Sequence, residues 1–408
     1  MDPKVIGYIF KDLRHQRGLT LRQVSEEVGI DYSYLSKIET GVSAVQQHQF
    51  TVLSDFYGVT DELLERECDS FFDDLEKVFN ANLQHKSERK ELRTSFLEKY
   101  SWLQVSQYLP YLHLVELETL SYQGKRTERF YYLVDALKSD YFISPYDFFL
   151  MLRKLYWACI MHNTEMIQKF IPVVEARMET IDKKYQPFGY YYLLTGCAEL
   201  GDNIKLTSMY SLAHAGFMSI HNNHFGMLTD IIYGGHLVLH RDYRLSIKFN
   251  SDLLANEDYE ITAFSKKSIH YNIGEAYLQL NDIPHALEHY RESYALVPQK
   301  NSAFYIAYCL FCLGLPNEAL QVIDDAAFIV RQDALFNQLL LWLGKYIKRR
   351  KDSQIKKLEQ IEMKNMDKND YCLRLTLLKI KIAHYRQNAN LEKENEYLYK
   401  MIKEMQNS

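Results

Sequence analysis

The stretch from Thr20 to Gly41, TLRQVSEEVGIDYSYLSKIETG, leaves its backbone few options. Thr20 with Gln23 three residues later is a capping box and starts a helix. Leu21, Val24 and Val28 recur at helical spacing, and small Ser25 admits a second helix close by. Gly29 supplies the left-handed backbone that ends this helix and turns the chain. Ile30 enters the core and Asp31 caps the next helix. On that helix Leu35 and Ile38 share the inward side, so Tyr32, Ser33, Ser36 and Lys37 face outward until Gly41 ends it.

Two short helices joined by a glycine turn make the helix-turn-helix spacing. The flanks extend it. Val5, Ile6, Ile9, Phe10 and Leu13 mark a helix over residues 4–17, stopped by Gly18. A fourth helix carries Phe50, Leu53, Phe56 and Tyr57, and a fifth is capped by Thr60. Through GLTLRQVSEEVGIDYSYLSKIETG and FTVLSDFYGVTDELL, residues 6–66 resemble the Cro/repressor-like (XRE) family. That resemblance implies a double-stranded DNA operator as partner. Tyr32, Ser33, Ser36 and Lys37 would face base edges, Thr40 would sit near a phosphate, and Arg14 with Glu39 would form the family's interhelical ion pair. The family often carries Gln at the start of its second helix, against the DNA backbone; this chain has Leu21 there, with Arg22 beside it. Residues 1–41 hold six Lys/Arg and six Asp/Glu. With zero net charge, one copy releases few counterions on DNA, so binding calls for a homodimer on a two-fold site. A helical module mediating protein contacts is the plainer alternative.

With only 16 Gly and 8 Pro in 408 residues, long helices meet few interruptions. From residue 67 the pattern is helical almost throughout. FFDDLEKVFN reads as a connecting helix, and QHKSERKELR as a solvated face or short linker. Within residues 267–298, Ile273, Gly274, Tyr277, Ala286, Tyr290, Ser293 and Pro298 resemble the tetratricopeptide pattern. Gly274 and Ala286 are small enough for two helices to pack closely, and Pro284 sits in a first turn, where no N–H is missed. The next repeat places Ala307, Pro316 and Ala319 alike, and Gly196, Gly235 and Gly344 mark weaker copies. The register between 101 and 190 stays open, and the tail NLEKENEYLYKMIKEMQNS reads as a capping helix. The expected fold is all-α: a five-helix Cro/repressor-like domain (1–66), a connecting segment (67–100), and a right-handed superhelix of tetratricopeptide-like repeats (101–408).

Tetratricopeptide arrays commonly bind peptides along the concave face lined by the first helix of each repeat. By that resemblance Tyr271, Asn272 and Glu275 face inward, with Asn301, Phe304, Tyr305 and Tyr308 from the next repeat, Tyr233 and His236 from the preceding one, and Gln338 from the following one. An Asn amide both donates and accepts, so Asn272 and Asn301 suit a peptide backbone. Tyr at such spacings equally suits helix packing.

Other signals weigh against chemistry. His285, Glu288 and His289 match H-x-x-E-H, yet Ala286 and Tyr290 give that segment to the repeat, so no metal is expected. Cys309 and Cys312 lack a second pair and read as core residues. There is no P-loop, dinucleotide fingerprint or nucleophile elbow, so neither a cofactor nor an enzyme is indicated. No apolar run spans a bilayer and the N-terminus lacks a signal-peptide layout, which points to the cytoplasm. A Cro-like reader followed by such repeats resembles the Rgg/PlcR/PrgX/NprR group of peptide-pheromone regulators. That implies a homodimeric transcription factor bound by a short signalling peptide in quorum sensing. In the NprR and Rap branch a response-regulator protein is a further partner, and a DNA-tethered scaffold is a third reading.

Overall fold

The computed structural model describes residues 2–124, 126–329, 334–365 and 371–407. It is all-α, with no strand among the described residues. None of its helices is long and apolar enough to cross a membrane. The chain packs as two compact units, residues 1–189 and 190–408.

The first unit opens with α1 (Pro3–Gln16), α2 (Leu21–Val28), α3 (Tyr32–Glu39), α4 (Gln47–Tyr57) and α5 (Asp61–Leu64). The local rules are obeyed. Thr20 and Gln23 form the reciprocal capping box, Gly29 sits at φ 67°, and the Asp31 side chain accepts from the Tyr34 N–H. Phe10, Val24, Leu35, Ile38 and Leu53 are buried together. Gly7, unremarked in the sequence, sets the α1–α3 crossing: a Cβ there would lie 2.0 Å from the Ile38 carbonyl oxygen.

The unit continues with α6 (Phe71–Leu83), α7 (Arg89–Lys99), α8 (Leu109–Tyr122), α9 (Glu128–Ala136), α10 (Tyr146–Ile160) and α11 (Thr164–Met178). FFDDLEKVFN is α6 as expected, but Phe71, Leu75, Val78 and Phe79 are core residues. This segment is therefore packed within the unit.

α1 docks on α8 and α9 through a buried polar network. Arg129 donates to Asp12 at 3.0 Å, to Glu116 at 2.8 Å and to the His113 Nε2 at 2.7 Å. An arginine can only donate, so His113 Nε2 accepts and Nδ1 carries the proton, 2.6 Å from the Tyr8 hydroxyl. Burial pushes His113 down to about 4. Lys138 Nζ adds a bond of 2.5 Å to the Thr40 carbonyl, and Lys4 pairs with Asp140. These contacts lie within the compact unit of residues 1–189 and tie its opening helices to those that follow.

The second unit begins inside α12 (Gln186–Leu200). Helical pairs follow: α13 (Asn203–Ser219) after α12, then α14 (Asn223–Leu239) with α15 (Tyr243–Leu254), and α16 (Ala263–Gln279) with α17 (Ile283–Leu296). Next come α18 (Lys300–Cys312) with α19 (Pro316–Ala326), α20 (Ala334–Lys348) with α21 (Asp352–Asn365), and α22 (Tyr371–Gln387) with α23 (Leu391–Asn407). Gly196, Gly235, Gly274, Ala307 and Gly344 each fall in the first helix of a pair, and the capping tail is α23. A Cβ on Gly274 would meet the Tyr290 ring at 3.2 Å, which is why that position stays small.

The array curls far enough for α22 to reach α16. Lys379 Nζ donates to the Leu278 carbonyl at 3.3 Å, and Gln279 donates to the Cys372 carbonyl. Packed by α17, α19 and α20, α18 is buried on every side from Ser302 to Leu310.

Candidate functional site

The surface expected to face DNA comes from α2 and α3. Val24, Leu35 and Ile38 fix these helices from within, and Glu39 anchors α3 to α1 through a two-pronged ion pair with Arg14 at 2.8 Å. The Arg14 Nη1 also donates to the Leu19 carbonyl, so the α1–α2 turn is held by the same group. With the inner side locked, Tyr32 stands 52 % exposed, Ser33 and Lys37 are exposed, and Ser36 is half-buried. Arg22 is exposed at the start of α2 and pairs with Glu26 at 3.1 Å. Thr40 is half-buried, its hydroxyl donating to the Ser36 carbonyl at 2.7 Å and its own carbonyl held by Lys138. An open concavity of about 850 Å³ joins Arg14, His15, Thr20, Leu21, Arg22 and Tyr32. It faces the first turn of α2, where backbone N–H groups and the helix dipole favour an anion.

The array residues are less uniform. Tyr233 stacks flat on Tyr210, ring centres 3.9 Å apart, with Phe249 at its edge. His236 is buried with neither ring nitrogen hydrogen-bonded, and burial beside His240 pushes it down to about 4. Tyr271 is half-buried against the rings of Tyr290 and Tyr305, and Glu275 and Gln338 are half-buried on α16 and α20.

Four placements differ from the expected peptide face. The Asn272 amide donates to the Ile231 carbonyl at 3.2 Å and packs over Gly235, so it ties α16 to α14. Asn301 accepts from the Ser302 N–H within its own helix. Tyr305, 1 % exposed, lies stacked on Tyr290, and Tyr308 is 6 % exposed. Both Tyr are core because α18 is enclosed by its neighbours.

A polar cavity in this unit was not foreseen. It measures about 450 Å³ and is lined by Tyr210, His214, Asp230, Phe249, Asp258 and Tyr259, among others. Asp230, 6 % exposed, accepts from the Tyr210 and Tyr259 hydroxyls at 3.0 Å each, with His214 Nε2 at 3.5 Å. Burial raises its carboxyl above the ordinary range, against the opposing pull of His214 and the two hydroxyls. A second carboxylate, aromatic walls and an imidazole at the rim suit a small cationic group. The one available signal was an aspartate inside the apolar run GMLTDIIYGG.

Comparison with known proteins agrees with this organisation. Residues 6–66 match the family described as a helix-turn-helix domain. A search of curated proteins returns no match. Among solved structures, the chain is similar to a Rap protein complexed with competence and sporulation factor, at 11 % identity and a TM-score of 0.69, over 83 % of this chain and 99 % of that one. It is also similar to the apo form of the quorum sensor NprR from B. thuringiensis (15 %, 0.58, over 83 % and 99 %). The complex of NprR with its cognate peptide NprX gives 15 % and 0.62, over 83 % and 100 %. The chain therefore carries a helix-turn-helix domain at residues 6–66 and has the tetratricopeptide-like helical fold of the Rap and NprR structures.

Proposed function

We propose that this protein is a cytoplasmic, non-enzymatic transcriptional regulator. It binds an operator as a homodimer and is controlled by a short signalling peptide held in its helical array. The observation that carries the DNA part is the face of α3: Tyr32, Ser33 and Lys37 are exposed, while the opposite face is fixed by Leu35, Ile38 and the Arg14–Glu39 pair. A rigid helix with free polar and aromatic side chains is what direct readout needs. The peptide part is supported by the likeness to structures that hold competence and sporulation factor or NprX. Within the array, the Asp230 cavity offers a seat for an amino terminus or a basic side chain, while Tyr233, stacked on Tyr210, lies beside it. Tyr305 and Tyr308 are left out of this reading.

Selection from a random duplex pool tests it. The wild type should enrich a motif with two-fold symmetry, and Lys37→Ala or Tyr32→Ala should lose that enrichment with unchanged helicity. Equal enrichment by both variants refutes the face assignment. Calorimetry with short synthetic peptides should show binding that requires a positive group and weakens at least tenfold in Asp230→Asn. Equal affinity in that variant removes the cavity from the peptide site.

A further inference from the structure

The turn between α20 and α21 is strongly basic. Lys345, Lys348, Arg349, Arg350, Lys351, Lys356 and Lys357 lie within thirteen residues, against the single carboxylate of Asp352, in a chain whose net charge is −5. All seven are exposed, and none forms an ion pair with a described residue. Asp352 is turned to His384 Nε2 at 2.8 Å, so it does not neutralise them. Part of the cluster has a structural use. Lys345 and Lys348 occupy the last turn of α20, where cations offset the helix dipole. Arg350 lies over the Phe311 ring and donates to Gln387. Arg349, Lys351, Lys356 and Lys357 have no such duty, and they stand around the first turns of α21, whose dipole adds positive potential.

We infer that this corner is a second, sequence-independent contact surface for the phosphate backbone of double-stranded DNA. The inference rests on the DNA-binding reading and repairs a shortfall in it. The first 41 residues have no net charge, so the reading face alone releases few counterions, and phosphate contacts supply most of the affinity of DNA-binding proteins. Seven cations on one corner supply what that module lacks. Their spacing follows two helix ends and a turn, and the one aromatic residue among them, Tyr346, is buried, which suits a line of phosphates rather than base edges or single strands.

The test uses the full-length chain and a mixed-sequence duplex of about 25 base pairs, long enough for two to three helical turns. Binding is measured across a salt series for the wild type, for R349S/K351S/K356S and for Lys37→Ala. Each lost phosphate contact removes about 0.9 from the slope of log affinity against log salt. The triple variant should therefore lose about 2–3 in slope and at least tenfold in affinity at low salt. Lys37→Ala should keep most of the wild-type slope on this duplex. An unchanged slope and affinity in the triple variant, with Lys37→Ala weakened, overturns the inference and leaves the reading face standing. Absence of any duplex binding by the wild type overturns both. Loss of binding to anionic vesicles or to polyglutamate, with the duplex unaffected, also overturns it and gives the corner to a lipid or an acidic protein.

Discussion

Replacing Asp12 with Asn tests whether the reading module is locked to the helices behind it. Asp12 is buried and accepts from Arg129 at 3.0 Å and from Gln16 at 2.7 Å. An Asn amide cannot match both donors, so one edge of Arg129 loses its partner. Breaking a buried ion pair costs about 3–5 kcal/mol. Arg129 keeps Glu116 and is one-third exposed, which lowers the expected cost to about 2–3 kcal/mol. Spread over a unit of 189 residues, each kcal/mol corresponds to roughly 2–4 °C, so the first transition should fall by about 5–10 °C. Calorimetry reads the transition, and hydrogen exchange of Tyr8–Arg14 reads whether α1 loosens. Glu116→Gln, which leaves the α1 contact intact, should cost less than half as much. An unchanged transition together with unchanged exchange in Asp12→Asn would show that the network does not hold α1 down, and the reasoning fails.

Gly7→Ala should cost about 2–3 kcal/mol by overpacking, because the added carbon meets backbone at Ile38 and no side chain can yield; a loss under about 0.5 kcal/mol in urea unfolding argues against so tight a crossing. Thr20→Ala should remove about 1 kcal/mol from α2 by breaking the capping box, visible as faster exchange in residues 21–24 with the array unaffected. Stability should also depend on pH through His113. As pH falls through 6.5 the unfolded chain takes up a proton there, whereas the folded chain does so only near 4. The His113 contribution is therefore complete above about 6.5, falls as pH drops toward 4, and amounts to about 3 kcal/mol; His113→Gln should flatten that slope, and an equal slope in the variant contradicts it.

What the sequence disclosed was set within a few residues. Thr20 caps through Gln23, Gly29 turns the chain, and Leu35 and Ile38 assign the faces of α3, so this part was readable without the rest. The same holds for Gly274, where repeat spacing implied close helix packing and a Cβ would meet the Tyr290 ring. Long-range packing was not readable. Tyr305 and Tyr308 look inward-facing by register, but both belong to an apolar cluster that also takes in Leu373 and Leu377, more than sixty residues on. Asp230 draws its partners from twenty residues before and twenty-nine after, with no period to announce them. The link between Asp12 and Arg129 spans 117 positions.

That last link has a mechanical consequence. Tyr8 and Asp12 hold α1 to α8 and α9, and the Arg14–Glu39 pair holds α3 to α1, so α3 is tied through α1 to the helices behind it. In a dimer the two heads would each move as one piece with the helices they dock on. They would tolerate a changed base more readily than a changed rotational phase between half-sites. Inserting about five base pairs, half a turn of the duplex, would then cost more than mutating one half-site, and the quantity a signal tunes would be an angle rather than a contact.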